Sequence, residues 1–315
     1  MVSAFLGTLI GLERAAALGK KWTYGAPLFA ALGALAALLL PPSWIAPVLS
    51  SAGSVFLVAI FIYLYRLRPA HFFIVIGAGA FLWLVGNSLW AAALPIYRAA
   101  PWWIGFLVLT IAGERLELSR LLRLSRWDSA KLLVGIAMLL TGLVASLAHF
   151  ALGVRICGAG LLAIGLWLSR YDMARRTIAE RGLPRFMAVS LLAGYGWLVL
   201  GGLLWMGFAA EFSAGPFYDA MLHAVFLGFV FSMIFAHAPI IFPSITGLAM
   251  PFDGGFYSHL ALLHASLAVR IAGDVTDILS WQQWGGMLNA AALLLFLANN
   301  IRAIRRGRRN SALDS

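Results

Sequence analysis

Residues 221–243 read MLHAVFLGFVFSMIFAHAPIIFP. At 1.5 Å per residue a helix of this length covers the roughly 30 Å hydrocarbon core of a bilayer, and the run holds no Asp, Glu, Lys or Arg. It therefore reads as a membrane span, and what needs explaining is that it carries His223 and His237. Ionisable groups inside a span are costly and normally face the interior of the bundle or a wet cavity.

The rest of the chain agrees with that first reading. Over 315 residues it is 62% hydrophobic and 11% charged, which excludes a water-soluble globule. A net charge of +11 would suggest nucleic acid in a soluble chain, but the basic residues sit in short gaps between apolar runs, where topology accounts for them. The partner expected is the lipid bilayer, together with a redox partner whose identity and stoichiometry the sequence leaves open; no nucleic acid is expected.

Cys157 is the single cysteine, so an intramolecular disulfide, a cysteine zinc cluster and a covalent haem attachment are excluded. The first apolar run ends in GLERAAALGKKW rather than a small-residue cleavage site, so it does not read as a cleavable signal peptide.

Apolar runs of about 17 to 25 residues predict an all-α polytopic bundle of eleven spans. They lie near 2–18, 24–40, 44–66, 72–94, 101–118, 130–149, 153–171, 184–207, 217–242, 256–273 and 280–301. Residues 1–301 read as one transmembrane domain and 302–315 as a basic tail. With RAIRRGRRN placed in the cytoplasm, only Arg98, Arg155 and Arg270 of the 23 Lys and Arg residues fall on the outer side. The expected address is a bacterial cytoplasmic membrane with the C-terminus inside. Eleven spans then put the N-terminus outside, and the first run begins at Met1 with no polar flank. The expectation is one further helix upstream, giving twelve.

Four histidines fall within two consecutive spans. In a regular α-helix His223 and His237 lie about 40° apart in azimuth and about 21 Å apart in depth, too far for one metal. His259 and His264 lie roughly 140° apart on the next span, a poor chelating pair. A lone imidazole in an apolar bundle suits a haem iron, which takes one axial nitrogen per side and prefers apolar walls. Arg270, near the outer surface, stands at a level where a cation pairs with haem propionates. The plainer alternative is that these histidines only hydrogen-bond across helices.

The stretch 223–247, HAVFLGFVFSMIFAHAPIIFPSITG, resembles the tenth helix of heme-copper oxidase subunit I and of the related NnrS-type membrane proteins. The likeness rests on the spacing of His223, Phe242, Pro243 and Gly247. It implies that His223 is an axial ligand of a b-type haem, and that MVSAFLGTLIGL is similar to the oxidases' second helix just after its histidine motif. The opposite ligand is then either a histidine upstream of Met1 or His264. The chain departs from the oxidases at Met221, where a second histidine would serve the high-spin haem, and on the spans near 101–118 and 130–149, where copper-ligating histidines would fall and none occurs before His149 at the outer end. An intact oxygen-reducing centre is thus not expected. The resemblance points instead to electron transfer or the handling of nitric oxide or another diatomic, with a further metal or quinone site near His237, His259 and His264. A secondary transporter with a histidine-lined proton or metal path is the rival class.

Smaller features have structural readings. Glu13–Arg14 and Glu114–Arg115 read as pairs at helix ends, Asn87 as a bridge between helices, Gly7 and Gly11 as a close helix contact, and the tryptophans of APWWIG and SWQQWGG as interfacial anchors.

Overall fold

A computed structural model describes residues 2–119 and 124–311. Every predicted span is a helix: α1 Val2–Leu18, α2 Gly25–Leu39, α3 Ile45–Leu67, α4 His71–Ala91, α5 Ile96–Ser119, α6 Arg126–Ala148, α7 Phe150–Tyr171, α8 Leu183–Gly207, α9 Pro216–Thr246, α10 Phe256–Thr276 and α11 Leu279–Ser311. Nine of them, all but α1 and α10, are long and apolar enough to cross a membrane. No strand occurs among the described residues. The protein is an all-α integral membrane bundle. Its outward surface is itself apolar, with Leu39, Trp44, Val144 and Leu294 well exposed, as a lipid-facing surface requires.

The chain divides into two compact units. The first, Met1–Leu121 with Leu139–Gly153, centres on α5, whose residues 99–109 are buried without a break. Small residues let the helices approach closely: a Cβ on Gly53 would lie 2.8 Å from the Ala30 nitrogen, so α2 and α3 meet backbone to backbone. Gly7 lies against the Trp83 ring, and Gly11 has Pro27 3.0 Å from its Cβ position. Asn87 does bridge helices. Its Nδ2 donates to the Ser50 carbonyl (3.1 Å) and its Oδ1 accepts from Trp103 Nε1 (3.0 Å). Trp102 and Trp103 are therefore core residues rather than interfacial anchors; being on the most enclosed helix outweighs their position near a span end. Arg14 pairs across to Glu114 at 3.0 Å, joining α1 to α5 rather than pairing with its neighbour.

The second unit, Leu122–Met138 with Val154–Ser315, holds α7–α11. Here α7 and α8 cross through Gly158 and Gly202: a Cβ on Gly202 would stand 2.6 Å from the Leu162 nitrogen and 2.7 Å from the Gly158 carbonyl oxygen. Both obstacles are backbone and cannot rotate away. Gly202→Val should therefore cost about 3 kcal/mol or more, at the upper end of overpacking penalties, read as lost thermal stability in detergent; an unchanged unfolding temperature would contradict this crossing.

Two elements differ from their sequence readings. The run at 217–242 is not one regular helix: α9 is α-helical over Pro216–His223, π-helical over Ala224–Val230 and α-helical again over Phe231–Thr246. It ends at Gly247, whose left-handed φ of 69° suits a residue without a Cβ, and whose N–H bonds the Pro243 carbonyl at 2.8 Å. The last helix does not stop at 301 but continues to Ser311.

A histidine and ion-pair site at the start of α9

His223 is the last residue before the π-helical turn. Its Nδ1 lies 2.7 Å from the backbone carbonyl of Asp219, one turn earlier. A carbonyl only accepts, so Nδ1 carries the proton and the neutral ring keeps its lone pair on Nε2. The ring is half-buried. His237 has the same arrangement, its Nδ1 2.7 Å from the Met233 carbonyl.

The other two histidines have the opposite tautomer. Trp197 Nε1, which can only donate, gives its hydrogen to His264 Nδ1 at 2.8 Å, with the two rings nearly parallel. His264 Nε2 therefore bears the hydrogen in the neutral ring. Asn299 Nδ2 lies 3.0 Å from His259 Nδ1 and 3.1 Å from the Gly255 carbonyl; the carbonyl fixes the amide nitrogen as the donor, so His259 too carries its hydrogen on Nε2. That ring is fully buried and stands nearly perpendicular to Phe235, with Phe296, Phe256 and Phe186 around it.

The π turn also corrects the geometry of the pair on α9. One π turn amounts to one residue's rotation, roughly 100° less than an α-helix of equal length. His223 and His237 are thus about 140° apart in azimuth rather than about 40°. Trp197 marks the place of the distortion: Gly228, inside the π turn, lies against its ring.

Arg270 sits one helix away from His223 and is already occupied. Its Nη2 donates to Asp219 Oδ2 at 2.8 Å, its Nη1 to the Gln282 carbonyl at 3.3 Å, and its Nε stands 3.6 Å from Asp274 Oδ2. Asp274 is 2% exposed. Gly285 of α11 lets the two helices meet closely, a Cβ there lying 2.6 Å from the Arg270 backbone nitrogen, and Gly286, which abuts Nη1, leaves the guanidinium room to reach these partners. Arg270 thus fastens α10 to Asp219, the residue whose carbonyl orients His223.

A haem iron needs a nitrogen lone pair. His223 offers one; His264, as hydrogen-bonded here, offers an N–H. Arg270 faces two carboxylates, which disfavours a third anion beside it, so the propionate role does not fit the ion pairs it makes. Among the described residues no three of His, Cys, Asp and Glu come together as a metal-binding group. The expected inner cluster of His237, His259 and His264 is not such a group. His259→Leu should accordingly leave any bound haem or metal unchanged, with a stability loss of about 1–2 kcal/mol for the lost hydrogen bond, measured by visible absorbance and thermal unfolding; loss of cofactor would reinstate His259 as a ligand.

Trp197 and Asp219 are what sequence reasoning missed, since their partners His264 and Arg270 are 67 and 51 residues away. The signal that could have found Arg270's slot is the glycine pair of WQQWGG.

A family model described as a domain of unknown function, DUF8744, matches residues 1–305. The chain belongs to the DUF8744 family. No curated protein and no solved structure matches it. The family match covers α1–α10 and runs into α11, so the His223 site and the Arg270 ion pairs both lie within the DUF8744 domain.

Proposed function

We propose that this protein is a membrane haem protein in which His223 would hold the iron of a non-covalently bound b-type haem through a ring nitrogen. The observation that carries the reading is the His223 tautomer: Nδ1–H is held by the Asp219 carbonyl at 2.7 Å, leaving Nε2 as the coordinating atom, the arrangement metal-bound histidines adopt. A π turn directly after the ligand supports it, since such turns concentrate at functional sites, as does the resemblance of 223–247 to the haem-ligating helix of the oxidases. When bound, such a group would supply one-electron chemistry and a place for a diatomic such as nitric oxide to bind. Asp219 orients the ring, Arg270 fixes Asp219, and the apolar side chains of α9 exclude water. The membrane in this reading is a bacterial cytoplasmic one with the C-terminus inside.

The test is a reduced-minus-oxidised visible spectrum of the full chain, purified in detergent from haem-replete cells. Sharp bands of a b-type haem are expected. A colourless protein that takes up no haem on reconstitution overturns the proposal. Coupled transport, for which the Asp219–Arg270–Asp274 group with its buried Asp274 is the motivating feature, would then be measured in vesicles.

A further inference from the structure

Helix α11 runs well past its apolar segment, and residues 302–309 contain Arg302, Arg305, Arg306, Arg308 and Arg309. One side of this basic end is fastened to the protein. Ala303 is buried in the same cluster as Met250, Gly307 lies against the Ala249 backbone, Arg306 pairs with Asp253, and Asn299 donates to the Gly255 carbonyl at 3.1 Å. Another side opens as a shallow groove lined by Ala298, Ile301, Arg302, Arg305, Arg306 and Arg309. Spacings of three and four place these residues on one face. Arg302, Arg305 and Arg309 enter no ion pair among the described residues. Toward the middle of the helix the same face carries Leu294, exposed to 68%, seven residues before the groove residue Ile301, exposed to 47%.

We propose that this groove binds the phosphate of an anionic phospholipid, with an acyl chain lying along Ile301 and Leu294. Guanidinium groups match phosphate oxygens in a bidentate fork. Three arginines without carboxylate partners, held on a helix that is itself pinned, present that fork already arranged. The apolar stripe running out of the groove selects a lipid over free phosphate, because only a lipid covers both. Charge bias alone explains why arginines gather at this end of the helix, but not why four of them share one groove.

The experiment measures binding of phosphatidylglycerol and of phosphatidylcholine to the full chain in detergent. It compares wild type, Arg302→Gln/Arg305→Gln/Arg309→Gln, and a charge-matched control, Arg175→Gln/Arg176→Gln/Arg181→Gln, whose side chains are exposed elsewhere. The expected result is a loss of phosphatidylglycerol affinity of about tenfold or more in the groove variant alone, with phosphatidylcholine binding unchanged and no displacement by inorganic phosphate. Equal binding by wild type and groove variant, or an equal loss in the control, overturns the proposal. Displacement by inorganic phosphate overturns the lipid assignment in favour of a free anion. Should the triple variant unfold, Arg305→Glu alone, which leaves the Arg306–Asp253 pair in place, reads the same affinity.

Discussion

His223→Gly should abolish the visible spectrum of the purified protein, and added imidazole should bring it back. The glycine removes the ring at the end of the first α-helical segment of α9, at a helix cost of about 1 kcal/mol, and leaves the Asp219 carbonyl and the Arg270 ion pair intact. Loss of the ligand itself should weaken haem retention by more than the roughly 10–100-fold that follows from losing only a ligand's hydrogen-bond partner. Rescue by imidazole separates coordination from folding, because a free ring restores a ligand but not a lost fold. His237→Ala is the companion variant: its ring carries the same tautomer, so loss of the spectrum there, with retention in His223→Gly, moves the assignment to His237. Retention in both sinks it.

Arg270→Ala should be the most destabilising single change at the site, by about 3 kcal/mol or more. Removing one partner of a buried ion pair leaves the other charge unpaired in a poor solvent for it, and Asp274, 2% exposed, has nowhere to find water. Asp219 contributes less, since its side chain is 45% exposed and can be solvated. Adding Asp274→Asn to the alanine variant should therefore recover much of the loss, a non-additivity that a double-mutant cycle measures. Arg270→Lys should not substitute, because one ammonium cannot reach Asp219, Asp274 and the Gln282 carbonyl as the planar fork does. Thermal unfolding in detergent reads all of these variants. Additive effects of Arg270→Ala and Asp274→Asn would show that the two side chains do not interact.

The helices were readable in the sequence because a bilayer imposes one length and one polarity on anything that crosses it. All but α11 appear within a few residues of the apolar runs. The exception arises where tertiary contacts extend a helix, at the fastened end of α11. The site was half readable. Its histidines stood out by their cost in an apolar run, and that cost does not depend on neighbours. Their chemistry did depend on them. Whether a ring offers a lone pair or a hydrogen is decided by the group at Nδ1, and for His264 that group is Trp197 on another helix. Arg270 looked available at its depth, because its partner Asp219 stands 51 residues away on another helix. Trp102 and Trp103 misled for a related reason: a tryptophan near a span end is an anchor only if its helix is peripheral, and α5 is enclosed.

The π-helical turn at Ala224–Val230 has a consequence for aligning this chain with others. A relative that lacks one residue within that turn can close it to ordinary α-helix and keep both flanks in place, since the π turn is one residue of surplus. The same deletion after Val230 would instead rotate everything downstream by roughly 100°, including His237 and the residues facing Phe296. Alignments through this helix should therefore allow a single gap between residues 224 and 230 and penalise it elsewhere.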